Sequence, residues 1–151
     1  MKQTKKLLKS VFGKKKDGIA YIQSLMNPGQ NAPTLFAYSA DSGGASTDFV
    51  RWLSEITGNG AWVTENQFYD GTGHDDSHAT VFVSEVADVT DPFLVKVIKT
   101  RGAHKRVAVA CTKYPKALKY VNDPTLMVVE VPPFDLEAVR SEIGDTIRKL
   151  A

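Results

Sequence analysis

The most constraining feature of the chain is a run with no polar position, Val107-Ala108-Val109-Ala110-Cys111. A strand with one wet face alternates apolar and polar residues, so a strand apolar throughout must be covered on both sides. Leu35-Phe36-Ala37-Tyr38, Ala79 to Val83 and Leu126 to Val131 read the same way, and Ala61-Trp62-Val63 opens a further strand that runs to about Phe68. Helical patterns lie between them. Phe49, Val50, Leu53 and Ile56 share one helix face, and Gly58-Asn59-Gly60 ends it. Asp91-Pro92 gives an N-cap and a first-turn proline to a helix carrying Phe93, Leu94, Val97 and Ile98. Pro115 opens a short helix, and Asp135 caps a last one with Leu136, Val139, Ile143, Ile147 and Leu150 inward.

Doubly covered strands separated by helices predict a parallel sheet. From Thr34 onward the pattern specifies an α/β three-layer sandwich of about five mostly parallel strands, in the flavodoxin-like order 2-1-3-4-5. The helix between the second and third strands is missing or reduced. A mixed sheet, with those two strands as a hairpin around Asp70–Ser77, is therefore the alternative. Residues 1–33 read as a lysine-rich helical N-terminal extension and linker, and 34–151 as one α/β domain. In the extension Leu7, Leu8, Val11 and Phe12 fall at helical spacing, and Ile19, Ile22, Leu25 and Met26 mark a second helix starting at Asp17.

The 151 residues suit one domain with a real core. A single cysteine, Cys111, excludes an intramolecular disulfide framework and a multi-cysteine metal knuckle. No apolar run approaches the roughly 18 residues of a membrane span. No apolar stretch of about 7–15 residues follows the N-terminal lysines, as a secretory signal requires. The expected protein is cytoplasmic and not transmembrane.

A net charge of +2 conceals strong segregation. Residues 1–16 hold seven lysines and no acid. Residues 17–95 hold eleven acids against one base, Arg51, and residues 96–151 hold eleven bases against six acids. Fields act locally, within about 8–10 Å at ordinary ionic strength, so these blocks matter more than their sum. Lys2, Lys5, Lys6, Lys9, Lys14, Lys15 and Lys16 form a basic head suited to an acidic protein partner, a nucleic acid or an anionic membrane. Lys96, Lys99, Arg101, Lys105 and Arg106 form a second basic group that would extend this surface.

The run Val131-Pro132-Pro133-Phe134-Asp135-Leu136-Glu137-Ala138-Val139 resembles the end of a response-regulator receiver domain, and Thr112 stands where that family keeps its switch Ser or Thr. Pro132 replaces the family's lysine. The first strand ends in Tyr38-Ser39 rather than an acidic pair, and the third in Ser84-Glu85 without a phosphoacceptor aspartate. The resemblance implies a degenerate receiver-like domain. In the first half, Phe36-Ala37-Tyr38-Ser39, Asp48-Phe49, Leu53, Ala61-Trp62-Val63 and Asp70-Gly71 resemble a Toll/interleukin-receptor-type domain. Enzymatic members of that family carry a glutamate in the helix after the third strand, and Phe93 to Arg101 holds no acid. Both resemblances imply the same fold class, and neither supplies a catalytic residue.

Two loops carry candidate sites. Ser39, Ser42, Gly43, Gly44, Ser46 and Thr47 precede a helix, where backbone N–H groups can bind phosphate, as in a nucleotide- or flavin-binding carrier or enzyme. In the 2-1-3-4-5 order this loop faces Ser84, Glu85 and Asp88 across the switch point of the sheet. Asp70, His74, Asp75, Asp76 and His78 are five potential metal ligands within nine residues. No complete catalytic motif occurs, and no cofactor is specified. The expectation is a binding or regulatory domain rather than an enzyme, working through its basic head.

Overall fold

The computed structural model describes residues 2–27 and 32–142, so Ile143, Ile147 and Leu150 lie outside the described residues. Five strands, β1 (Thr34–Tyr38), β2 (Gly60–Thr64), β3 (Thr80–Val86), β4 (Arg106–Cys111) and β5 (Leu126–Glu130), form one sheet in which every pairing is parallel. The helices are α1 (Lys2–Phe12), α2 (Lys15–Met26), α3 (Gly44–Thr57), α4 (Glu65–Asp70), α5 (Asp91–Gly102) and α6 (Leu136–Ser141), with a 3-10 helix at Lys116–Tyr120. This is the three-layer α/β sandwich with N-terminal helices that the sequence predicts. The β2–β3 hairpin is excluded, because Ala61 pairs with Val81 and Val63 with Val83 in parallel register.

The strand order is β2-β3-β4-β1-β5, not 2-1-3-4-5. The reason lies in the connection after β2. Thr64 ends that strand early by forming a capping box: its Oγ1 accepts from the Gln67 N–H (3.1 Å), and Gln67 Oε1 accepts from the Thr64 N–H (2.9 Å). Residues 65–70, expected as strand up to Phe68, are the six-residue helix α4. A helix that short bridges neighbouring strands but not a strand in between, so β3 takes the place beside β2. The longer α3 instead carries the chain from β1 across β4 and β3 to β2.

Right-handed crossovers then sort the helices. The step from β1 to β2 runs opposite to all later steps, so α3 lies on one face while α4, α5 and the 3-10 helix lie on the other. Side chains alternate accordingly. Leu35, Ala37, Ala108 and Ala110 face α3, and Phe36, Val107, Val109 and Cys111 face α5. The alanines leave room for Phe49 and Trp52, fully buried with their rings 6.1 Å apart.

The N-terminal helices complete the α3 face. Leu7, Leu8 and Val11 of α1 and Tyr21, Ile22 and Leu25 of α2 belong to the same buried cluster as Leu35 and Phe49. Phe12 stacks between Tyr21 (5.5 Å) and Phe49 (6.2 Å), which brings the α1–α2 turn to the end of the sheet where α3 begins. Arg106, at the start of β4, reaches the other end of α2 and donates to the carbonyls of Ser24 and Asn27 (2.9 Å to the latter). The head is thus anchored at both ends of the sheet.

Candidate functional site

In an open parallel sheet, ligands collect where neighbouring strands send their connections to opposite faces. Here that point lies between β1 and β4, because α3 and the 3-10 helix leave on opposite sides. The loop after β1 therefore faces Thr112, not the Ser84–Asp88 segment expected opposite it. The two loops close on each other. Gly43 takes a left-handed backbone (φ +91°), and a Cβ there would stand 2.8 Å from Thr112 Cα. Ser46 Oγ donates to the Cys111 carbonyl at 2.9 Å, tying α3 to the end of β4.

The phosphate candidates are used up in this closure. The four leading N–H groups of α3 all have partners inside the chain: Gly44 donates to the Asp41 carbonyl (3.4 Å), Ala45 to the Asp41 carboxylate (3.1 Å), Ser46 to Ser39 Oγ (3.2 Å) and Thr47 to the Gly43 carbonyl (2.9 Å). Hydrogen bonds from the Ser39 hydroxyl and the Ala45 N–H hold the Asp41 carboxyl below its ordinary range. A fixed negative charge thus occupies the helix terminus that an anion would use. Ser39, Gly43 and Ser46 are buried, Thr47 is half-buried, and only Ser42 and Gly44 are exposed.

The rim beside this loop carries polar and aromatic pairs. Lys113 and Asp88 form an ion pair at 2.8 Å that links the loops after β4 and β3, over a cavity of about 90 Å³. Ser42 and Glu85 adopt left-handed φ values of 59° and 58° without being glycine. Glu85 sits in the irregularity between Val83 and Val86.

The metal candidates are not gathered. Asp70 ends α4, and the loop beyond it turns the His74 imidazole inward, with Nε2 buried and without a hydrogen-bond partner among the described residues. His74 Nδ1 lies 3.2 Å from the Lys105 ammonium, whereas His78 Nδ1 accepts from the Asp75 N–H at 3.1 Å. Lys105 also donates to the Asp75 carbonyl, and Asp75 caps the Ser77 N–H (2.8 Å). Burial, then the nearby Lys105 charge, lowers the basicity of His74. Asp76 is exposed and forms no part of this set. Among the described residues, no group of three or more His, Cys, Asp or Glu side chains is placed to hold a metal ion.

The second basic group is dispersed. Arg101 Nη1 donates to the Ala32 carbonyl (3.0 Å) and Thr34 Oγ1 (2.6 Å), Arg106 serves α2, and Lys105 serves the His74 loop. Lys96 and Lys99 remain on α5, across the sheet from the head.

The seven head lysines behave differently. At about 100° per residue, Lys2, Lys5, Lys6 and Lys9 fall within an arc of about 100° on α1, opposite the buried Thr4, Leu7, Leu8 and Val11. Lys14, Lys15 and Lys16 continue the charge at the α1–α2 turn; all but the half-buried Lys5 are exposed. Repulsion from Lys5, followed by some burial, lowers the Lys15 ammonium from its ordinary value. None of the seven has an ion-pair partner among the described residues.

Three acids on this side of the sheet are already committed. Glu55 and Glu137 accept from Arg140, at 2.5 and 2.8 Å. Glu142 accepts from the N–H groups of Gln3 (2.9 Å) and Thr4 (2.8 Å) and from Thr4 Oγ1 (2.6 Å). Nothing in the local sequence signals this last clamp, because its partners lie at opposite ends of the chain. No known protein-family model matches the chain, and no curated protein matches it.

Proposed function

We propose that the protein is a non-catalytic binding or regulatory α/β domain whose N-terminal lysines contact an acidic or phosphate-bearing partner. The observation that carries this reading is the set of seven lysines, unpaired among the described residues, on a hairpin that is part of the core. A rigid hairpin presents charge without the ordering cost of a flexible arm. The loop after β1 supports the same reading, since the N–H groups that would bind a phosphate are spent on its own closure. No helix of the described residues is long and apolar enough to cross a membrane. A cytoplasmic setting, with Cys111 as a free thiol, belongs to this proposal.

Retention on a heparin column tests it. Replacing Lys2, Lys6, Lys9 and Lys14 by Gln is expected to move elution to markedly lower salt while the circular dichroism spectrum stays unchanged. Equal elution of variant and parent would refute the reading.

A further inference from the structure

We infer that the partner of the lysine hairpin is the sugar–phosphate backbone of a nucleic-acid duplex, held without regard to sequence. The inference rests on the proposed function above and narrows it, and three observations favour this occupant.

The charges are arranged as a line. α1 is about 16 Å long at 1.5 Å per residue, with Lys2 and Lys9 about 10 Å apart along its axis. Lys14 to Lys16 follow at the turn into α2, which folds back along α1 and sets Lys15 beside Lys5, so the charge broadens at this end of the row. A linear array suits a linear polyanion, and a duplex offers about one phosphate per 1.7 Å of axis.

The outer face of α1 is lysine without an apolar component, although a cavity at its edge sets Lys6 beside Pro132, Pro133 and Phe134. The apolar residues of α1 are spent in the core, with Leu7, Leu8 and Val11 all buried. Among the described residues the exposed large apolar side chains are Met26, at the far end of α2, and residues outside the hairpin. A helix that lies in a membrane surface inserts its apolar face, which α1 cannot offer without unfolding. Binders of single strands stack bases on exposed aromatic rings, and this face presents none. Protein interfaces centre on aromatic and aliphatic anchors and are depleted in lysine. A duplex backbone needs only positive charge.

The charge is also not neutralised from within. On the same face Glu55 and Glu137 are held by Arg140, and Glu142 by the start of α1. Asp17 is the only acid in the hairpin, Asp48 stands at the first turns of α3, and Asp135, which shares a cavity with Lys6, accepts from the Ala138 N–H as the cap of α6. Point-charge contacts of this kind position a protein on a duplex but do not read bases.

Fluorescence anisotropy with the full chain and a labelled 30-base-pair duplex tests the inference, with an RNA duplex, a single strand, phosphatidylserine vesicles and polyglutamate as parallel probes. The expected result is binding to duplexes of unrelated sequence within about threefold of one another. With four to six phosphate contacts, affinity should fall about 10²–10³-fold between 50 and 200 mM salt. Lys2→Gln, Lys6→Gln, Lys9→Gln and Lys14→Gln together should abolish it, whereas Lys96→Gln with Lys99→Gln on the opposite face should leave it unchanged. Tighter binding to the single strand, the vesicles or polyglutamate at equal salt overturns the duplex inference while leaving the polyanion reading intact. Binding to none of the five overturns both.

Discussion

Thr4 and Glu142 lie 138 positions apart in sequence and meet through a 2.6 Å hydrogen bond from the threonine hydroxyl to the carboxylate. The same carboxylate accepts from two N–H groups in the first turn of α1. It caps that helix from a distance, in place of the local Ser, Thr or Asp that commonly does so. Burial pushes the Glu142 carboxyl up, but the bonds from Thr4 and Gln3 outweigh it and hold the group at about 2.

A depressed carboxyl stabilises the fold at pH above its unfolded value and loses that contribution as pH falls toward the folded one. The relevant window runs from 4.5 down to about 2. Glu142→Gln is expected to destabilise the protein at pH 6 by about 1–3 kcal/mol, and Thr4→Val by about 1 kcal/mol. In urea melts the difference between Glu142→Gln and the parent should shrink below pH 4.5 and vanish near pH 2. A difference independent of pH would show that the carboxylate charge contributes nothing.

Leu8 is fully buried beneath α1. Leu8→Ala is expected to cost about 2–5 kcal/mol, as a core truncation does, whereas Lys9→Gln on the outer side of the same helix should stay within about 0.5 kcal/mol. Removing residues 1–16 strips Leu7, Leu8, Val11 and Phe12 from a core that includes Phe49 and Leu35. Such a deletion should broaden or abolish cooperative unfolding in calorimetry. A deletion variant as stable as the parent would show that the hairpin is a dispensable appendage.

The strands were legible from the sequence because burial on two faces leaves a local signature. Val107 to Cys111 is apolar at every position and is buried at every position. The helix start at Asp135 was legible for the same local reason, since a cap acts within one turn, whereas α5 is capped by Thr90 Oγ1 and not by the expected Asp91, which is its first residue. Strand order was not legible, because it depends on how far each connection reaches. Thr64 and Gln67 hold the decisive signal, a capping box that turns an expected strand into a short helix. The loop at Ser39–Thr47 shows the limit for sites. Its composition suits a phosphate cradle, but Asp41 and Ser39 satisfy the helix N–H groups first. The basic block at 96–106 fails similarly, because charge in sequence does not say which arginines are turned to carbonyl groups.

Gly43 and Gly44 are adjacent but carry different demands. Gly43 has φ +91° and backbone of Thr112 against its missing side chain, so Gly43→Ala strains the conformation and forces β1 and β4 apart at the switch point. A loss of about 2–4 kcal/mol is expected. A methyl group added at Gly44 would meet first the Asp41 carboxylate, at 3.0 Å, and that side chain can swing aside. Gly44→Ala should therefore change stability by no more than about 1 kcal/mol. Chemical denaturation of the pair checks this, and equal losses at both positions would contradict the closed-loop geometry.

Cys111 reports on the same junction through its reactivity. Its side chain is 1% exposed, and its carbonyl is held by Ser46 Oγ. Burial, with a smaller contribution from the Glu65 charge, pushes the thiol from 9.0 up to about 12. At pH 8 the thiolate is then only about one part in ten thousand, against about a tenth for an ordinary thiol of that starting value. Native protein should react with a disulfide reagent orders of magnitude more slowly than the denatured chain. Because the attack needs the β1–β4 rim to open, Gly43→Ala should accelerate it, whereas Lys-to-Gln changes on α1 should not. Rapid labelling of the native protein at pH 8 would mean that the junction is open in solution and that the loop after β1 is free to take a ligand.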